Sequence, residues 1–177
     1  MAAQLILARE RVRDRINIDE NTLIPAIDRY HGTLYEHARA ALDLALDNQV
    51  HIIILSGGYG IVCAAEPIGN YDAVFNRQWW PKGLLENILA EYATINAIKH
   101  VRAFVSATTA YRKIIERVEW QNTGVRDVIL HTPEPTTGAM KKAPRAQGQA
   151  LAAYLRGDLD EDWRSSDGLE INSFRIA

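Results

Sequence analysis

The clearest hydrophobic pattern in the chain begins after Gly32. Over residues 33–47, apolar side chains recur at the three- and four-residue spacing of one helix face. They are Leu34, Ala38, Ala41, Leu42, Ala45 and Leu46. Because glycine is accepted at the cap position of a helix, the Gly32-Thr33 pair fits a helix start. The pattern predicts an amphipathic helix from Thr33 to Asp47.

A short, continuously apolar run follows this helix. Residues 51–55 are rich in β-branched side chains and stop at Ser56-Gly57-Gly58, which predicts a strand buried on both faces. The two periods then alternate, predicting helices over 84–98, 111–118 and 146–155 and strands over 101–105 and 127–131. Residues 4–7 are a further candidate strand. Pro144 is expected to precede the last helix, since proline is poorly tolerated deep inside one.

This alternation predicts the fold class and the domain boundaries. Residues 1–156 are expected to form a single α/β domain, a three-layer Rossmann-like arrangement with a mostly parallel sheet of about four strands. Residues 157–177 carry six acidic side chains against two arginines, which predicts a loosely held acidic extension. Ligands in such folds bind beyond the carboxyl ends of the strands, so the loops there are the candidate sites.

The composition narrows the classes of protein to consider. The chain has 177 residues, 47% of them hydrophobic, and a formal net charge of -2. No apolar run is long enough for a transmembrane helix, and charge interrupts the N-terminal apolar run too early for a signal peptide. Cys63 is the single cysteine and the five histidines lack metal-ligand spacing, so neither a metal nor a cofactor is expected. These features favour a cytoplasmic protein that is not bound to membranes; they do not predict its oligomeric state.

The first candidate loop is Ser56-Gly57-Gly58-Tyr59-Gly60. Its glycines permit positive backbone dihedrals and let peptide N–H groups approach a bound anion. Ser56 and Tyr59 could add hydroxyl donors. The alternative is a tight glycine turn without a ligand.

The segment after this loop supplies candidate acid/base and stacking residues. Residues 66–72 include Glu66, Tyr71 and Asp72 in a context too rich in proline and glycine for a helix, which predicts a polar loop. Arg77 and the adjacent Trp79 and Trp80 come next. Two adjacent tryptophans cannot both face a core from one regular element, so one is expected at a pocket wall where a base could stack. Filling a gap under a long connection is the alternative.

Two later loops could bind phosphate. The hydroxyls of Ser106 and Thr108 follow a predicted strand, where they could cap the next helix or contact an anion. Residues 131–138 are followed by Lys141, Lys142 and Arg145, which could clamp a phosphate or form a solvated basic face. Cys63 is interpreted as a packing residue rather than a nucleophile.

Several of these residues resemble a known family. The run Leu55-Ser56-Gly57-Gly58-Tyr59-Gly60-Ile61-Val62, with Glu66-Pro67-Ile68 and Tyr71-Asp72 after it, is similar to a pattern of the YaaA-like peroxide-stress proteins and their small relatives. That pattern is Leu-Ser-x-x-Tyr-Gly-Leu-Val, Pro-x-x-x-Ile, x-x-Tyr-Asp. The similarity covers residues 24–118, and its specific part is confined to 55–72.

The resemblance implies an α/β fold and a role in nucleotide or nucleic-acid metabolism under stress, with DNA binding in some members. This chain departs from the family at its start. Members open with a strand leading into a Ser-Cys-Ser/Gly-Lys-like loop, whereas here residues 5–7 run into Ala8-Arg9-Glu10-Arg11. The chain is also shorter than the full peroxide-stress proteins.

The leading hypothesis is a site for a nucleotide-like small molecule or nucleic acid, with phosphate on the backbone of the glycine loop. Glu66 or Asp72 would act as the acid/base group of an N-glycosidase-like hydrolase or transferase, because a carboxylate can activate water or steady a positively charged sugar. The alternative is a non-catalytic stress-response protein that binds DNA or RNA. Its basic residues would be Arg9, Arg11, Arg13, Arg15, Lys141, Lys142 and Arg145. A third possibility is a subunit that serves only assembly.

Overall fold

The computed structural model describes residues 2–135 and 139–177, with the backbone alone for 139–141. The helices are α1 (Ala2–Arg13), α2 (Ala26–Arg29), α3 (Thr33–Asp47), α4 (Leu84–Ile95), α5 (Ala110–Glu116) and α6 (Ala139–Arg156). The strands are β1 (Asp19–Pro25), β2 (Ile53–Ser56), β3 (Gly60–Cys63), β4 (Pro67–Asn70), β5 (His100–Phe104), β6 (Asp127–Pro133) and β7 (Ile171–Arg175). Short 3-10 turns lie at Arg77–Trp79 and Trp120–Asn122.

The seven described strands form three small sheets. β1 pairs with β4 and β2 pairs with β3, both antiparallel. β6 lies between β5, to which it is parallel, and β7, to which it is antiparallel. The predicted three-layer Rossmann-like fold with a mostly parallel sheet of about four strands is therefore wrong: the chain is a mixed α/β fold with mostly antiparallel pairing.

The physical reason for this error lies at two places in the chain. The glycine-rich turn after β2 reverses the chain, so Ser56 lies opposite Gly60 and β2 enters a hairpin instead of leading into a helix. The candidate first strand, residues 4–7, lies inside α1. The alanine and leucine residues of α1 are strong helix formers. Ala8 and Val12, four residues apart, are buried on one face of this helix.

The positions of the predicted helices are largely confirmed, in contrast to the predicted pairing of the strands. The helix predicted from Thr33 to Asp47 is confirmed as α3, and α4 and α5 lie where the apolar spacing predicted helices. The last helix begins earlier than expected: α6 starts at Ala139 and contains Pro144. The predicted loop at residues 66–72 contains β4, whose Ile68 lies opposite Ile24 of β1.

The acidic C-terminal segment is held on the fold by β7. Ile171 lies opposite Pro133 and Arg175 opposite Ile129, so β7 covers the second edge of β6. Leu169, just before this strand, is buried.

Buried side chains form clusters on both faces of β2. Successive strand residues point to opposite faces, and Ile54 packs in a cluster with α3 whereas Leu55 packs against clusters that contain residues of α4 and α5. Leu151 and Leu155 of α6 join the first cluster. Strand β2 is thus covered by helices on both sides. In the described part of the chain, no helix is long and apolar enough to cross a membrane.

The contact between α3 and α6 depends on Gly148. A Cβ atom at this position would lie 2.3 Å from the carbonyl oxygen of Leu34, which is backbone and cannot rotate away. We expect Gly148→Ala to destabilise the fold by about 2 kcal/mol, because overpacking costs up to ~3 kcal/mol and the gain in helix propensity returns only ~1 kcal/mol. Urea denaturation measures this change. Gly32→Ala is the matched control, since a Cβ there meets nothing within 4 Å; equal stabilities for the two variants would contradict the packing.

Candidate functional site

A cleft of about 730 Å³ lies between β2 and β5. Its walls include every residue of 50–55 on one side and of 100–106 on the other. One end, beyond the carboxyl ends of the two strands, is polar; the middle is apolar. The polar end is the candidate functional site.

A chain of three hydroxyl groups lies at the polar end. The Tyr71 hydroxyl is 2.6 Å from that of Tyr30 and 2.6 Å from Ser56 Oγ. Ser56 is fully buried at the end of β2 and accepts a hydrogen bond of 3.0 Å from the Tyr59 backbone N–H. Tyr30 stacks on Tyr35, with ring centroids 5.3 Å apart. Four tyrosines, Tyr30, Tyr35, Tyr71 and Tyr111, line this end.

Burial makes three of these phenols harder to ionise. It raises the pKa of Tyr30 and of Tyr35 well above the ordinary range. Burial also raises the pKa of Tyr111 to about 12. Near pH 7 these three side chains therefore present O–H groups and flat ring faces to the site and carry no phenolate charge.

Gln147 of α6 is the most informative side chain at this end. It is 4% exposed and lines the cleft, and its Oε1 atom accepts a hydrogen bond of 3.4 Å from Ser106 Oγ. Its Nε2 atom is buried without a partner among the described residues. A buried amide donor that lacks a partner costs about 1–3 kcal/mol, so a ligand that accepts its hydrogen bond would be favoured.

Arg29 supplies a cation to the same end of the cleft. Its Nη2 atom donates a hydrogen bond of 2.7 Å to the Thr22 carbonyl, and within the described chain its Nε atom is buried without a partner. Asp72, in contrast, is an exposed residue on the cleft wall. The polar end therefore offers hydroxyls, an amide, a guanidinium and a carboxylate.

The glycine turn is buried and tightly packed. A Cβ at Gly57 would lie 2.2 Å from the Ala73 carbonyl oxygen, one at Gly58 would lie 2.9 Å from the Tyr71 ring, and one at Gly60 2.8 Å from Trp80. Close packing alone therefore explains glycine at these positions. Of the three, only Gly57 is among the cleft-lining residues. The predicted phosphate-binding role of this turn stays a prediction.

Glu66 joins α1 to the β2–β3 hairpin. Its Oε1 atom is 2.6 Å from Arg9 Nη1, and its Oε2 atom accepts a hydrogen bond of 3.2 Å from the Cys63 backbone N–H. Arg9 also donates to the backbone carbonyls of Tyr59, at 2.9 Å, and of Ile61. Both Glu66 oxygens are thus occupied, and the residue does not line the cleft.

Tyr59 and the tryptophans lie in the packed interior rather than at the cleft. The Tyr59 hydroxyl accepts from the Gly69 N–H at 2.9 Å and donates to Glu20 at 3.1 Å. Trp80 is 3% exposed and belongs to a buried cluster with residues of α1, β3, α4 and α5. Trp79 is partly buried and packs against this cluster. Neither tryptophan is among the residues that line the cleft.

The remaining predicted residues divide between two places. Ser106 lines the cleft, whereas Arg77 and Thr108 line a separate groove of about 370 Å³ beside Lys113 and Arg117. Helix capping falls to neither predicted hydroxyl: Thr109 caps α5 by accepting from the Arg112 N–H. The structure therefore brings Gly57, Tyr71, Asp72 and Ser106 of the predicted site together at the cleft. Ser56 lies behind them and reaches the site through its hydrogen bond to Tyr71.

The opposite end of the cleft carries a second polar group. His51 Nδ1 is 2.7 Å from the Tyr92 hydroxyl, and Asp127 bonds both His100 and Arg102.

Burial raises the pKa of the Cys63 thiol, which keeps it in the less nucleophilic neutral form. No group of three or more His, Cys, Asp and Glu side chains in the described parts of the chain could hold a metal ion.

Three of the seven basic residues proposed for nucleic-acid binding are engaged in ion pairs within the protein. Arg9 pairs with Glu66, Arg13 with Glu20 at 2.9 Å, and Arg145 with Asp167 at 3.2 Å. Arg11, Arg15 and Lys142 are exposed. Lys141 lies outside the residues whose side chains are described.

Sequence reasoning missed Arg29, Tyr30, Tyr35, Thr109, Tyr111 and Gln147. The sequence does carry a signal for Gln147. Ala146, Ala150 and Ala153 form a buried face of small residues on α6, and a glutamine beside that face is unusual because glutamine is mostly exposed. Tyr30 and Tyr35 carried no such signal, because aromatic residues near a helix start are ordinary core residues.

Comparison with known proteins does not identify a family for this chain. No protein-family model matches it, and neither a curated protein nor a solved structure is significantly similar to it. The resemblance of residues 55–72 to the YaaA-like proteins therefore stays a prediction.

His131 lies on β6 next to the cleft wall and is buried. Its ring stacks on Phe104 with centroids 4.6 Å apart, and its Nδ1 atom is 2.9 Å from Ser173 Oγ of β7. Burial, with the nearby Arg102 charge, lowers the pKa of His131 to about 4. The folded protein thus holds a neutral imidazole where the unfolded chain has an ordinary histidine.

This shift predicts a loss of stability in acid. Between the unfolded pKa of about 6.5 and the folded value, the unfolded chain binds more protons, so the free energy of unfolding falls as the pH decreases through that window. We expect His131→Gln, which does not titrate, to lose less stability between pH 7 and pH 4.5 than the parent protein does. Urea midpoints at the two pH values test this, and equal losses would show that His131 is not responsible.

Proposed function

We propose that this protein binds a nucleoside or nucleotide-like small molecule at the polar end of the cleft. The observation that carries the proposal is the Gln147 Nε2 donor, which is buried without a partner among the described residues and lies beside a set of tyrosine rings. A side-chain amide offers a donor and an acceptor side by side, which complements the edge of a nucleobase. The cleft volume is also in the range of small-molecule sites.

Each part of such a ligand has a counterpart in the site. The base would stack on a tyrosine ring and place its edge against Gln147 and Ser106, and the ribose hydroxyls would meet the hydroxyl chain that ends at Tyr30. Arg29 is the cation for a phosphate at this end. The resemblance of residues 55–72 to the peroxide-stress proteins is in line with a nucleotide-like ligand.

The proposal extends to chemistry at the N-glycosidic bond, with Asp72 as the acid/base carboxylate. Asp72 lines the cleft, whereas both oxygens of Glu66 are held by Arg9 and the Cys63 N–H. A carboxylate there would activate water or steady the positive charge that develops on the sugar. Glu66 then acts as a structural link rather than as a catalytic residue.

The nucleic-acid-binding alternative has less support from the geometry. Three of its seven basic residues are held in ion pairs with carboxylates, so their charges are partly compensated. That alternative predicts affinity for duplex DNA that falls by about 0.9 log units per log unit of salt for each phosphate contacted. The small-molecule proposal predicts little salt dependence for a nucleoside.

Titration calorimetry with the four common ribonucleosides and their 5′-monophosphates tests the proposal. We expect saturable binding of at least one of them, and a loss of affinity of about tenfold in Gln147→Met, which keeps the side-chain volume but removes the amide donor. Gln149→Met is the matched control, because Gln149 lies on the same helix and bonds Ser166 away from the cleft.

A second arm of this experiment follows release of the free base. Asp72→Asn should keep the binding affinity and lose turnover, while Glu66→Gln should lower thermal stability. Absence of binding by every compound in the panel, or unchanged affinity in Gln147→Met, would contradict the proposed site. Binding without turnover in the parent protein would leave a binding protein and remove the enzymatic part of the proposal.

A further inference from the structure

The middle of the cleft lies between two strand edges that lack strand partners. Among the described strands, β2 is hydrogen-bonded to β3 alone and β5 to β6 alone. The other edge of each strand faces the cleft, because consecutive residues of both strands line it. A strand that faced the cleft with one side of its pleat would contribute only alternate residues.

The hydrogen-bond pattern identifies the backbone groups that point into the cleft. The Ala64 N–H donates to the Ile52 carbonyl at 2.9 Å, so in this antiparallel pair the groups of Ile52 and Ile54 face β3. Those of Ile53 and Leu55 consequently face the cleft. On the other wall the Val105 N–H donates to the His131 carbonyl of β6 at 3.1 Å.

The same alternation applies along β5. Because Val105 directs its backbone groups at β6, Ala103 does so as well, and the groups of Arg102 and Phe104 are directed at the cleft. Each wall therefore presents two residues whose N–H and C=O groups are available to a strand placed between them.

The two remaining sides of the cleft are apolar. Leu42, Leu151 and Leu155, from α3 and α6, line one side, and Leu89, Ala93 and Ile115, from α4 and α5, line the other. An occupant of this space must have a polar backbone at both edges and apolar groups on both faces. A strand buried between two helical layers has this distribution.

The edges and faces of the cleft suit a strand better than other occupants. A strand of about five residues matches the length of β5. The backbone N–H and C=O groups of a helix are bonded within the helix, and a hydrocarbon chain has none. Either would leave the strand edges without hydrogen-bonding partners.

We propose that the apolar part of the cleft is a docking site for an extended peptide segment of another polypeptide chain. The segment has about five consecutive apolar, mostly β-branched residues, and it hydrogen-bonds to β2 on one edge and to β5 on the other. Backbone bonds on both edges supply affinity, and the two helical layers select apolar side chains. The proposal is independent of the nucleotide site, which lies beyond the ends of these strands.

The test uses the synthetic peptide Lys-Val-Ile-Val-Ile-Val-Lys, acetylated and amidated, with the intact protein. A control peptide has the same side chains but carries N-methyl groups on two of its central residues. We expect the control to bind at least about tenfold more weakly, since it lacks two N–H donors. Affinities are measured by titration calorimetry.

Amide hydrogen exchange, measured by NMR, then locates the bound peptide. The amides of Ile53, Leu55, Arg102 and Phe104 should exchange at least tenfold more slowly in the complex, while the already paired amide of Ile54 changes little. Equal affinity for the two peptides, protection confined to other surfaces, or no binding up to the solubility limit would overturn the proposal. Protection of the same amides that rises with protein concentration alone would overturn it in favour of a second copy of this chain.

Discussion

A backbone N–H or C=O group that leaves water needs a hydrogen-bonding partner, and this protein brings two strand edges together that lack one within the described chain. β2 gives one edge to the hairpin and β5 gives one edge to β6; their remaining edges form the walls of a single cleft. Because these two edges are not paired with each other, β2 and β5 belong to separate small sheets and the cleft lies between them.

The cleft has an apolar middle and a polar end because different elements line the two parts. Along the strands, the cleft is lined by strand edges and by leucine side chains of the helices. A segment with apolar faces and a polar backbone at both edges suits this part. Beyond the strands, the segment after β4 and helix α6 bring in Tyr71 and Gln147, which suit a small polar ligand. Ser56, at the end of β2, holds the Tyr71 hydroxyl. The link from Arg9 to Glu66 and to the Tyr59 carbonyl holds α1 against the hairpin and so fixes the wall to which Ser56 belongs.

The elements could be predicted from the sequence more readily than their pairing. Helix α3 follows from the period of its apolar residues alone, because an amphipathic helix needs no knowledge of its neighbours. Whether β2 leads into a helix or into a hairpin depends on the turn at Gly57 and Gly58, whose packing against Ala73 and Tyr71 is a long-range contact. The site was predicted in part for the same reason: Ser56 and Asp72 follow from loop composition, whereas Gln147 reaches the cleft only through the packing of α6.

Hydrogen exchange in the free protein shows whether β2 and β5 present open edges to one cleft. Along β2 we expect an alternation: the amide of Ile54, paired with β3, exchanges slowly, and those of Ile53 and Leu55 exchange at least tenfold faster. On β5, Arg102 and Phe104 should exchange faster than Ala103. Uniformly slow exchange along both strands would show that the edges are already paired and that neither is open to the cleft.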